Sequence, residues 1–361
     1  MNLLLRRRKF VSLGLTLFAL SVTHPCPVAV AANFSDMNLS LTDGFVIPGY
    51  QALAADLSAL SVNTRHYCVA PHADKLKLLK HAYVKAMITW QHIRIIRVGP
   101  IMRNARDARV QFWPDKRGTA ARQIRRALGN KDLKLLSPDG LTGKSVALQS
   151  LSAFEYLMST SPSKPFSCGL MLAISEFQAT LARDVLREWQ QSGGFRDTIL
   201  SAGKDNPIFV NNAAPAAAFL KSIAAMLDIV IRQKLEAPLG KDINHALPRS
   251  AESWRTEQSR RNISANLDAL ARMFEIPGGF STALSNRKSK ALADSIVREL
   301  RTVSQKISKL AMPLSQAVVN AETRPAVEQI IGDLKDIRIL IRESVVNTLG
   351  LPIGFNSLDG D

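Results

Sequence analysis

The sequence predicts an all-α protein built as two helical bundles. Three observations lead there. Aromatic residues make up only 6% of the 361-residue chain, while Ala and Leu are abundant and long stretches lack Gly and Pro, a composition that favours helices. Leu76, Leu79, Tyr83, Met87, Trp90 and Ile93 recur at three- and four-residue steps, the period of a one-sided helix. No region alternates apolar and polar residues with a period of two over several strands. A chain of this length exceeds what a single bundle core readily organises, so two domains are expected.

The first 31 residues stand apart. Arg6-Arg7-Arg8-Lys9 forms a positive n-region, residues 10–22 an apolar h-region, and Ala29-Val30-Ala31 a small-residue cleavage site. This is the pattern of a secretory signal peptide, and 13 apolar residues are too few for a transmembrane span. Arg7-Arg8-Lys9-Phe10-Val11 partly resembles a twin-arginine export signal, although Arg6 stands where Ser or Thr is usual. Cys26 follows Thr23-His24-Pro25, a poor context for lipid attachment. No later segment reads as apolar enough to span a membrane.

The remaining elements follow in order. A helix over 50–65 precedes the clearest one, 73–98, which Gly99-Pro100 stops. Further helices are predicted over 119–128, 144–158 and 168–191. A Gly/Asp/Asn/Pro break at 203–207 separates them from helices over 212–235, 251–274, 288–309 and 324–349. Long helices joined by Pro-, Gly- or Asn-containing turns pack most economically as antiparallel bundles. The expected domains are therefore 44–205 and 206–361.

Charge and cysteines bound the chemistry. Removing residues 1–31 takes four cations and no acid, lowering the formal net charge from +17 to +13. Arg103, Arg106, Arg109, Lys116, Arg117, Arg122, Arg125 and Arg126 concentrate the excess. Without interleaved aromatic residues this cluster argues against nucleic acid; small anions or anionic envelope surfaces are the expected partners of an exported protein. Two cysteines remain, Cys68 and Cys168, and an even pair in an oxidising compartment reads as one disulfide. The competing reading, a metal cluster of His66, Cys68 and His72, fits no common structural zinc spacing.

The most chemical segment is Ser150-Leu151-Ser152-Ala153-Phe154-Glu155-Tyr156-Leu157. On a helix, Ala147, Leu151, Phe154 and Met158 form one stripe, and Glu155 lies only about 40° from Leu151. A carboxylate so placed must find a partner, shift its pKa or bind something. Arg97 and Arg255 are candidate partners. No His-Glu-x-x-His, Gly-x-Ser-x-Gly or Ser/His/Asp set is present. Trp90, Trp113, Trp189 and Trp254 suit bundle cores or ligand walls. Trp113-Pro114-Asp115, in a predicted loop beside the basic cluster, suits an anionic ligand.

Several landmarks together resemble the imelysin-like family of bacterial envelope proteins. They are Trp90-Gln91, Gly99-Pro100-Ile101, Phe112-Trp113-Pro114-Asp115-Lys116, Leu151 to Leu157, Glu252-Ser253-Trp254-Arg255 and the ending Gly354 to Asp361. The ending resembles the predicted-lipoprotein branch. The resemblance implies two four-helix-bundle-like domains, a periplasmic or cell-envelope location and a link to iron uptake, and some members were described as peptidases. The family's Gly-x-His-x-x-Glu motif would converge an imidazole and a carboxylate on one metal ion. Here the matching positions are Ser150, Ser152 and Glu155, so only the glutamate is retained.

The expected function is thus a periplasmic, non-catalytic binding component linked to iron uptake. Its ligand would be a metal ion (iron or another divalent metal), an anionic metal chelate or an envelope transport partner. Glu155, Ser152, Trp90, Trp113, Arg97 and Arg255 are the candidate ligand-binding residues, with Glu155 the candidate metal ligand. The alternatives are an envelope metallopeptidase and a structural or docking module of the envelope.

Overall fold

The computed structural model describes residues 34–115 and 117–352. The signal-peptide segment, Lys116 and the landmark 354–361 lie outside the described residues. The described chain contains helices and turns and no strand, in agreement with the all-α expectation.

The longer helices are α1 (Ile47–Val69), α2 (Ala73–Ile93), α3 (Thr119–Asn130), α4 (Leu151–Thr160), α5 (Pro165–Gln190), α6 (Ala213–Asp228), α7 (Ser259–Glu275), α8 (Lys290–Ser308) and α9 (Arg324–Ile339). Helix α1 packs on α5 and α2, and α4 closes against α5. In the second half α7 packs on α8, and α8 and α6 on α9. Helix α2 also packs against α7, which ties the two halves together. The apolar stripe of α2 explains this central position. Leu79, Tyr83, Met87, Trp90 and Ile93 are buried, while Leu76, at the outer end, is half-buried.

Three expected boundaries shift, each for a local reason. Helix α2 ends at Ile93, five residues before the expected stop. The turn that follows needs Gly99, at φ 78°, where a Cβ would lie 2.7 Å from the Phe195 ring. The helix expected over 144–158 is broken at Ser150, whose extended backbone and hydroxyl cap α4 at the Ala153 N–H. Residues 251–258 are a turn, with Ser253 at φ 49° and Glu257 at φ 58°, so α7 starts eight residues later than expected. Helices α6 and α9 run on into π-helical segments, Ile229–Glu236 and Leu340–Val345.

Cys68 and Cys168 form a disulfide with Cα atoms 5.5 Å apart, closing a loop of 100 residues between the end of α1 and the start of α5. The stretches Ser35–Val69 and Ala213–Leu239 are long and apolar enough to cross a membrane by length and composition. This corrects the expectation that no later segment is apolar enough; both stretches pack against other helices, and their apolar windows are 39% and 78% buried within the protein.

The loop length sets the expected value of the disulfide. Cys168→Ala is expected to cost about 3–5 kcal/mol in denaturant unfolding. An unchanged midpoint, or two free thiols by mass under non-reducing conditions, would contradict the bridge.

Candidate functional site

The last turn of α2 presents Trp90, Gln91 and, one turn on from Trp90, Arg94. The Trp90 indole N–H donates to Gln111 Oε1 at 2.9 Å. Gln111 leaves the short helix Arg106–Val110 in an extended conformation and also accepts from Arg94 at 2.8 Å. Its own amide donates to Glu252 Oε1 at 3.0 Å.

Glu252 comes from the 251–258 turn and is 1% exposed. Its Oε1 accepts from Arg94 at 2.8 Å and Gln91 at 3.3 Å, and its Oε2 from Lys234 at 2.6 Å and Asn262 at 3.0 Å. With Gln111, five side chains donate to one carboxylate. Lys234, fully buried, reaches it from the π-helical extension of α6. A π segment rephases side chains relative to an α-helix, which is why such insertions often mark functional positions. Lys234 also donates to Gln91 Oε1 at 2.7 Å and Asn266 Oδ1 at 2.6 Å. Three acceptors match the three donors of the ammonium form. Burial nevertheless pushes the Lys234 pKa down to about 7, with Glu252 opposing and Arg94 adding to the shift. Glu252 is held below the usual carboxylate range: Lys234 and Arg94 outweigh the upward push of burial.

Above this network lies a cavity of about 580 Å³. Trp90, Arg94, Arg97, Asp107, Gln111 and Trp113 form one wall; Lys221, Ser222 and Gln233 belong to the other. Of the residues lining the cavity, Arg94, Arg97 and Lys221 are cationic and only Asp107 is acidic; Asp107 stands 4.0 Å from Arg97, and Arg94 is paired with Glu252 behind the wall. The Arg97 backbone N–H is fixed by Ser222 Oγ at 3.3 Å across the cavity. Lys234 lies behind the Trp113 ring, 5.8 Å from its centroid. The walls thus offer aromatic faces and an excess of positive charge.

Three expected site residues, Trp90, Trp113 and Arg97, line this cavity. Glu155, Ser152 and Arg255 do not. Glu155 is 6% exposed, and its Oε1 accepts from the Thr256 N–H at 3.1 Å and hydroxyl at 2.7 Å. Burial raises its pKa, while Thr256 and the nearby Arg255 pull it down. Arg255 lies over the Tyr156 and Trp254 rings, and Ser152 is on the half-exposed side of α4. Thr256 belongs to the same turn as Glu252, so Glu155 holds the turn that delivers the central carboxylate.

Among the described residues no group of three or more His, Cys, Asp or Glu side chains could hold a metal ion. The residues around Glu155 therefore do not fit a motif-centred metal, and no step is assigned to one.

Sequence reasoning missed Arg94, Gln111, Lys221, Lys234 and Glu252 as a functional set. Two signals were available. Lys234 falls on the apolar stripe Ile223, Leu227, Val230 of the most apolar helix, and Arg94 shares a face with Trp90. Glu252 opened a recognisable landmark without any role attached.

Comparison with known proteins agrees with this geometry at the level of fold. The imelysin family model, also described as peptidase M75, matches residues 46–341. Iron-regulated protein A of Synechococcus elongatus is 23% identical over 202 residues, which is 55% of this chain and 53% of that protein. The chain thus spans about half the length of this curated relative. An imelysin-like protein of Psychrobacter arcticum superposes with a TM-score of 0.78 at 19% identity, covering 89% of this chain and 97% of the other. A putative iron-regulated protein A precursor of Parabacteroides distasonis gives 0.72 at 14% identity, covering 86% and 94%.

Two outcomes follow from the network. Lys234→Met removes one of the two cations on Glu252, leaving Arg94 in place, and is expected to cost about 1–3 kcal/mol. Between about pH 7 and the ordinary lysine value near 10.5, the unfolded chain binds this proton more tightly than the folded chain. Lys234 therefore contributes stability that increases as pH rises through that window. Urea unfolding of wild type and Lys234→Met across the window should show this rise only in the wild type; parallel profiles would refute the assignment. At Glu155, Gln keeps an acceptor for Thr256 and is expected to be tolerated, whereas Leu is expected to cost about 1–3 kcal/mol. Equal melting of the two variants would show that the Thr256 clasp contributes nothing.

Proposed function

We propose that this chain, which belongs to the imelysin family, is an exported, non-catalytic binding protein linked to iron. It holds a small anionic ligand, such as an anionic metal chelate, in the cavity beside Trp90 and Trp113. One observation carries the reading: Arg94, Arg97 and Lys221 line an aromatic-walled cavity whose only acidic wall residue is Asp107, while Glu252, behind the wall, is shared between Arg94 and Lys234. A site of that size takes a small molecule, and cations aimed into a partly desolvated cleft favour ligand carboxylate or phenolate oxygens.

Arg94 is both ligand group and strut in this proposal. Nearly buried, with its side chain 9% exposed, it is held by Glu252 and Gln111, so its orientation is set before a ligand arrives. Such preorganisation reduces the entropy lost on binding. Trp90 and Trp113 supply flat walls, and Arg97 and Lys221 act from the two sides of the cavity. The cavity wall from 90–114 and the wall from 218–233 come from the two expected bundles, 44–205 and 206–361, so ligand would bridge them.

The link to iron draws on the relatives' names, iron-regulated protein A and its precursor, which describe those proteins. Export draws on the n-region, h-region and cleavage pattern of residues 1–31. A periplasmic or envelope location is the corresponding proposal. No specific observation favours the metallopeptidase alternative.

Calorimetric titration with ferric citrate and with a ferric catecholate tests the reading. At least one chelate is expected to bind, and Arg97→Gln and Lys221→Gln should each weaken binding by roughly tenfold or more, the loss of one charge-assisted contact. No binding heat from either chelate, citrate alone, or free ferrous or ferric ion would overturn it.

A further inference from the structure

The basic cluster divides into two parts with different fates. Arg103 and Arg106 pair with Glu188, and Arg109 donates to Gln149. These cations are absorbed by the fold. The exposed Arg117, Arg122, Arg125 and Arg126 are not.

Helix α3 buries Ala120, Ile124 and Ala127. At about 100° per residue, Arg122, Arg125 and Arg126 fall within an arc of about 100° on the opposite side, and all three are exposed. The chain continues through Lys131, Lys134 and Lys144, also exposed. Over residues 119–144 these six cations accompany only two acids, Asp132 and Asp139. Asp132 is engaged in capping the Lys134 N–H. Among the described residues none of the six cations forms an ion pair. Leu133, set between Lys131 and Lys134, is 74% exposed.

Unpaired cations around a protruding leucine match the chemistry of an anionic bilayer surface. The cations meet headgroup phosphates, and the apolar side chain enters the boundary between headgroups and acyl chains. Nucleic acid is the other polyanion, but residues 119–144 contain no Phe, Tyr or Trp on which a base could stack. We propose that this face docks the protein onto a bilayer containing anionic phospholipid. The docking is independent of what fills the cavity, yet the two are linked along the chain. Asp115, which caps α3 at the Thr119 and Ala120 N–H groups, lies two residues from Trp113 in the cavity wall. A docked α3 would hold the cavity close to the membrane surface.

Cosedimentation with vesicles of mixed phosphatidylcholine and phosphatidylglycerol, with pure phosphatidylcholine vesicles, and with duplex DNA in parallel tests the proposal. Binding is expected to the mixed vesicles alone and to weaken as salt screens the charges. The folded R122Q/R125Q/R126Q variant should bind on the order of a hundredfold more weakly. It shares the wild type's N-terminal residues, so the difference isolates α3. Leu133→Ser should weaken vesicle binding several-fold. Equal binding to neutral vesicles, salt-insensitive binding, full binding by the folded triple variant, or preference for duplex DNA would each overturn the proposal. Should the triple variant fail to fold, the wild-type lipid and salt series decides alone.

Discussion

One buried carboxylate organises the centre of this protein. Glu252 receives hydrogen bonds from Gln91, Arg94, Gln111, Lys234 and Asn262. Those donors come from α2, the segment after Arg106–Val110, the π-helical extension of α6, and α7. Two of them are charged. Taking a carboxylate and two cations out of water is expensive, so the cluster is not best understood as a source of net stability. Its effect is registry: a slip of any of these segments would take a buried charge away from its partners.

The cavity depends on that registry. Gln111 and Arg94 are shared between the network and the cavity wall, so the cavity-facing cation is positioned by the groups that solvate Glu252. Glu155 works one step further out. Its bonds to Thr256 hold the 251–258 turn, which carries Glu252 into place despite the positive φ at Ser253. The motif glutamate therefore bonds to the turn that carries Glu252 and does not line the cavity.

Much of the fold was legible in the sequence because its signals are local. The α2 stripe and the helical content depend on spacing along a single segment, and the cysteine pairing on there being two cysteines left to pair. The corrections arose where a local signal had a competitor. Ser150 is a good cap, so a continuous apolar pattern breaks into two helices there. Residues 251–258 carry helix-compatible composition, but the burial of Glu252 among its partners requires a turn. The cavity was half legible: Trp90, Trp113 and Arg97 were identifiable as an aromatic and cationic set. Their companions on the 218–233 wall lie more than a hundred residues away, and no spacing rule connects them.

By itself, then, the sequence determined the helical class, the resemblance to a family, the cysteine pairing and the concentration of positive charge. Each follows from residue type, period or count, which the chain carries without reference to its path in space. Only the tertiary structure decided that Lys234 and Glu252 meet, that Glu155 faces Thr256, and which basic residues stay in water. Those outcomes turn on desolvation, and whether a charge is desolvated depends on which distant segments cover it.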